Sequence, residues 1–98
     1  MFPQVESMGV CPRGAAGAIS DAGGFDIHGG GFAVNPSGGT LCTNPIGVTG
    51  LVRAIDAANQ VMGKAGTNQV KDVKNAATTA IGGSTQFFTC AVIGADHL

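Results

Sequence analysis

Few residues in this chain have side chains that could attack a carbonyl, move a proton or hold a metal. The three cysteines are Cys11, Cys42 and Cys90, and no two of them form a C-x-x-C pair. His28 and His97 stand in no ligand spacing with them. An odd number of scattered thiols argues against both a disulfide framework and a zinc site, so no metal is expected and the thiols read as reduced. Cys42, two residues before Asn44, is the candidate nucleophile. No histidine lies at a recognisable distance to activate it, and the commoner role of an isolated cysteine is a small buried apolar residue. His28, in Asp26-Ile27-His28-Gly29, is a base by type alone, and Asp26 two residues earlier does not make it a dyad. Asn44 has an amide that can donate a hydrogen bond to a carbonyl oxygen but cannot exchange a proton at neutral pH. The same residue type also caps helices and stabilises Asn-Pro turns, so both roles stay open for it.

The elements that must position these groups are legible in part. Met1 to Gly9 has the pattern of the last turns of a helix whose beginning is absent, with Gly9 as its stop. Gly14 to Phe32 is dominated by Gly and Ala and reads as irregular, closely packed backbone. The spacing predicts a helix from Ile46 or Val48 to Met62, started by Pro45 and stopped by Gly63. Its apolar stripe, Leu51, Ile55, Ala58 and Met62, is expected to face the core, with Arg53, Asp56 and Gln60 on the opposite side. A polar loop over Thr67 to Lys74 leads to two strands, Ala76 to Ile81 and Gln86 to Ile93, joined by Gly82-Gly83-Ser84. The second strand is apolar on both faces, which predicts a central strand covered on both sides.

Composition narrows the function. Five basic and six acidic residues give a net charge of −1, too little positive charge to hold a phosphate backbone, so no nucleic-acid partner is expected. No apolar run approaches the roughly 18 residues of a membrane span, and the N-terminus has no signal-peptide pattern. These features predict no membrane partner, and the reduced thiols predict a cytoplasmic location. The 98 residues include 17 glycines and no Trp or Tyr, a poor basis for a core that stands alone. Help from a partner, an oligomer or further sequence is therefore expected.

Two stretches are more specific than composition. Val34-Asn35-Pro36-Ser37-Gly38-Gly39, followed closely by Asn44-Pro45-Ile46-Gly47-Val48-Thr49-Gly50, resembles the C-terminal domain of thiolases. There an N-x-x-G-G turn precedes G-H-P-x-G-A-[TS]-G and a buried helix. Ala80-Ile81-Gly82-Gly83-Ser84 is similar to that family's C-x-G-G-G hairpin, and Gly9-Val10-Cys11-Pro12-Arg13-Gly14 resembles a segment of its sterol-carrier-protein-x branch. The resemblance covers nearly the whole chain but only the final portion of a thiolase.

It implies an α/β fold over residues 1–98: a partial thiolase C-terminal domain, with a mixed sheet, a buried helix and a C-terminal β-hairpin. It also implies an acyltransferase of the acetyl-CoA C-acyltransferase type, cleaving or condensing 3-oxoacyl-CoA, with a coenzyme A thioester as substrate and no other cofactor. Asn44 would stand at the oxyanion position in place of the family's His, and Ala80 at the vacated place of its proton-shuttling Cys. Asn35, Gly38, Gly39, Gly47, Thr49, Gly82 and Gly83 would line the acyl-CoA pocket. The nucleophile-bearing half is missing, so this chain alone is expected to be inactive. Two alternatives accompany the enzyme: a non-catalytic subunit that binds acyl-CoA or completes a partner, and a self-assembling structural fragment. The expected partners are acyl-CoA and either further copies or a chain supplying the missing half.

Overall fold

The computed structural model describes residues 2–39, 42, 45–84 and 86–95. They contain helices α1 (Phe2–Ser7), α2 (Ala16–Asp21) and α3 (Thr49–Val61) and strands β1 (Asn75–Gly82) and β2 (Phe87–Gly94). The chain divides into two compact units, Met1–Pro36 and Ser37–Leu98.

All three helices end by the same device. After α1 the N–H groups of Gly9 and Val10 donate to the carbonyls of Glu6 and Val5; after α2 those of Gly23 and Gly24 donate to Ser20 and Ile19. After α3 the N–H groups of Gly63 and Lys64 donate to Gln60 and Asn59. Gly9, Gly23 and Gly63 each have φ between 71° and 79°. This is the paired hydrogen-bond closure that needs a left-handed residue just past the helix, which glycine adopts without steric cost. The expected stops at Gly9 and Gly63 are thus observed. The short α2 lies inside the stretch expected to be irregular. Its six residues are too few to give a helical period, and a glutamate from α1 supports it instead, with the Glu6 carboxylate accepting the Ala16 N–H at 3.3 Å.

The first unit has a small core in which Val5 of α1, Ala16 of α2 and Phe25 are buried, with Val10, Cys11, Ile19 and Val34 packed around them. The loop that carries Phe25 is closed by Phe32 N–H donating to Gly24 and Val34 N–H to Phe25.

In the second unit α3 packs against an antiparallel hairpin, in register from Asn75 opposite Gly94 to Gly82 opposite Phe87. This is a small α/β arrangement. The orientation of α3 reverses the expected one. Leu51 is 61% exposed, and Ile55 and Met62 are at least half exposed, whereas Ala57 and Gln60 are buried. The helix turns its small and hydrogen-bonding residues inward: Gly50 permits close approach to β1, Arg53 bonds to the strand, and Asp56 and Gln60 bond to the Ser37 turn before the helix and to the loop after it. The strand positions agree with the sequence to within a residue, but β2 is not covered. Phe87, Phe88 and Val92 are more than half exposed, and α3 lies mainly over β1. Among the described residues the sheet has two strands, so nothing flanks β2 on its second edge.

Candidate functional site

In the second unit the residues singled out by sequence gather at the start of α3 and along β1. Pro45 leads into a single 3-10 turn, Ile46–Val48, and the Thr49 hydroxyl donates to the Ile46 carbonyl at 2.7 Å, fastening that turn to the helix. Gly50 then faces β1: a Cβ added there would stand 3.2 Å from the Ala80 methyl. The helix start and the position where the resemblance expects a proton-shuttling cysteine are therefore in contact, through a methyl group and a bare backbone. One turn on, Arg53 Nη1 donates to the Thr79 carbonyl at 2.6 Å.

The other glycines divide into two groups. Gly38 and Gly39 belong to a turn tied to α3, where the Ser37 hydroxyl donates to Asp56 Oδ2 at 2.8 Å and accepts the Gly39 N–H at 3.4 Å. Cys42 donates its N–H to the Gly39 carbonyl and packs its thiol toward Gly38, while the residue as a whole stays exposed. Gly47 and Gly82 face open space, and Gly83 lies against the Phe87 ring at the hairpin connection. Asn44, the expected oxyanion donor, lies outside the described residues, as does His97. Asn35, in the first unit, holds φ at 49° next to Pro36, a left-handed turn conformation that asparagine tolerates better than most residues.

The first unit holds a feature that the motifs did not point to. An open cavity of about 510 Å³ is lined by Met8, Val10, Cys11, Ile19, Phe25 and Phe32, with the backbone of Gly9, Gly24 and Gly31 between them. No charged side chain enters its wall. His28 and Asp26 are exposed on the same unit and do not line it. The cavity escaped sequence reasoning because its residues come from four separate segments with no shared spacing. Among the described residues no cluster of three or more His, Cys, Asp or Glu side chains could hold a metal, and no helix is long and apolar enough to cross a membrane.

Comparison with known proteins adds the relationships. The family model for thiolase C-terminal domain-like proteins matches residues 2–95. Sterol carrier protein 2 of Oryctolagus cuniculus is 40% identical over 70 residues, which are 70% of this chain and 13% of that protein. The non-specific lipid-transfer protein-like 2 of Caenorhabditis elegans is 40% identical over 78 residues, 79% of this chain and 19% of that one. Sterol carrier protein 2 of Homo sapiens is 37% identical over 70 residues, again 70% and 13%. The chain thus matches a small part of each relative's length.

These relatives correct one expectation. The resemblance implied an acetyl-CoA C-acyltransferase of the thiolase type, yet the proteins matched are named for carrying sterol and transferring lipid, not for acyl transfer. The correction concerns activity. The α/β architecture, with a helix on a C-terminal hairpin, stands. The misleading signal was the pair of glycine-rich motifs, because backbone turns of that kind persist wherever the fold does, with or without the reacting side chains.

Proposed function

Because the chain belongs to the thiolase C-terminal domain-like family, we propose that it is a non-catalytic binding module for an acyl-CoA or a related lipid. The observation that carries this reading is the Gly50–Ala80 contact. Where the thiolase resemblance asks for a thiol that moves a proton, this chain has a methyl group packed on a helix backbone. A methyl neither accepts nor donates a proton, so the place retains shape and loses chemistry. The carrier names of the relatives support the same reading. Three unpaired thiols fit a reducing, cytoplasm-like compartment.

Titration calorimetry with palmitoyl-CoA, run beside an acetoacetyl-CoA thiolysis assay on the same preparation, tests it. Heat of binding with no turnover is the expected result. Turnover at enzymatic rates, or no heat with any CoA thioester, would sink the proposal.

The uncovered β2 favours a second reading, in which the module completes its sheet with another copy or a separate chain. Phe87, Phe88 and Val92 present an apolar strand to solvent, a surface that is normally paired or covered. A mass that rises with protein concentration in light scattering supports self-association. A monomer at all concentrations removes it.

A further inference from the structure

Resting on the carrier reading, we infer that the cavity of the first unit is a binding site for the hydrocarbon chain of a fatty acyl group. Its volume, about 510 Å³, falls among those of cavities that take small molecules, about 300–1,000 Å³. Its wall is made of the Met8 thioether, the Val10 and Ile19 aliphatic groups, the Cys11 thiol and the rings of Phe25 and Phe32. Such a wall has no charged side chain to neutralise a phosphate or a carboxylate, and burying either unpaired is strongly unfavourable. It does match methylene groups, which gain by leaving water. The ligand's polar end therefore stays outside, and a CoA thioester and a free fatty acid offer the same buried part.

The wall also combines fixed and adaptable sides. Phe25 is buried in the core of the unit and anchors the floor, with Ile19 of α2 packed beside it. Met8 and Phe32 are 42% and 41% exposed and form the rim. Methionine is unbranched and adapts to irregular shapes, which suits chains of differing length.

The experiment uses the whole 98-residue chain and four probes: butyryl-CoA, octanoyl-CoA, palmitoyl-CoA and palmitate. Affinity should rise with chain length until the cavity is full, by roughly fourfold per methylene buried. Palmitate should follow palmitoyl-CoA, which shows that the tail is the part recognised. Phe32→Glu and, independently, Met8→Glu should each weaken both long-chain probes by roughly tenfold or more, because a rim carboxylate must be desolvated against the tail. Val92→Glu on the exposed β2 strand of the other unit should leave binding unchanged. Binding that ignores chain length, or that is lost in Val92→Glu and kept in both rim variants, overturns the cavity assignment and leaves the carrier reading standing. Absence of binding by the unaltered chain to all four probes removes both. The length series needs no variant to fold and decides whether the tail is the part recognised, while the rim and Val92 variants decide where it binds.

Discussion

Arg53 of α3 and Thr79 of β1 are joined by a hydrogen bond of 2.6 Å from the guanidinium Nη1 to the main-chain carbonyl, bridging 26 residues of sequence. It ties the helix to the hairpin through the backbone of the strand, so it does not depend on which side chain stands at position 79. A hydrogen bond with a charged donor contributes about 1.5–3 kcal/mol when part-buried. Arg53→Ala should lower the unfolding free energy by an amount in that range, and Thr79→Val should preserve the bond. Urea unfolding of both variants checks the pair.

The Gly50–Ala80 contact makes a second prediction. Valine at position 50 brings its first carbon to 3.2 Å from the Ala80 methyl and adds two more. Gly50→Val should destabilise the second unit by about 1–3 kcal/mol, as overpacking does. Ala80→Gly in the same chain should recover part of the loss. A double-mutant cycle with no coupling would show that the two residues do not meet.

Gln60 is buried and uses both ends of its amide, donating to the Asn68 carbonyl at 2.6 Å and accepting the Val70 N–H at 2.9 Å. Gln69 answers it by donating to the Gln60 carbonyl at 2.9 Å and accepting the Ala65 N–H at 3.1 Å. The two glutamines hold the loop between α3 and β1 in shape. Gln60→Leu removes both bonds and should cost about 1–3 kcal/mol. Hydrogen exchange at the Val70 amide should accelerate in step with that loss.

The helix-closing glycines rank themselves. Alanine at any of the three meets the left-handed cost of about 1 kcal/mol. At Gly9 and Gly63 the added carbon enters open space, but at Gly23 it comes within 3.0 Å of Asp26 Oδ2. Gly23→Ala should therefore be the most destabilising of the three, and Asp26→Ala should narrow the difference. Thermal unfolding of the four variants decides it.

The outward side of α3 predicts tolerance. Leu51→Lys and Ile55→Lys replace exposed side chains and should change stability by no more than about 0.5 kcal/mol. Were this stripe a core face, the same changes would unfold the chain. Circular dichroism across a urea series separates the two cases.

Residues 46–63 show what sequence patterning can and cannot convey. The helix and its Gly63 stop are readable, because they depend on local rules of spacing and capping, whereas the 3-10 turn over Ile46–Val48 is a detail the spacing does not convey. The face it would bury was read the wrong way round. Hydrophobic periodicity identifies the stripe that seeks cover, whereas Gly50 lets the other side come close to the sheet, Arg53 bonds to the strand there, and Asp56 and Gln60 bond to the segments on either side of the helix. The β-hairpin was legible for the same local reason, to within a residue at each end. The exposure of β2 was not, because two apolar faces state what a strand needs and not what the chain provides. The candidate site divides likewise. The glycine motifs led to the Gly50–Ala80 contact, while the cavity around Phe25 and Phe32 is assembled from distant segments that no motif joins.

The hairpin register has a consequence for the time course of folding. Its closest pair, Gly82 and Phe87, is five residues apart and its most distant, Asn75 and Gly94, nineteen. Pairs so near in sequence close without a long loop, and a hairpin of this kind zips in about 1–10 μs. The two strands are thus joined well before slower packing is complete, with Phe88 and Val92 already side by side with Ile81 and Ala77. An early ribbon with an uncharged open edge is a template for any extended chain that meets it, so the yield of refolding should fall as the protein concentration rises.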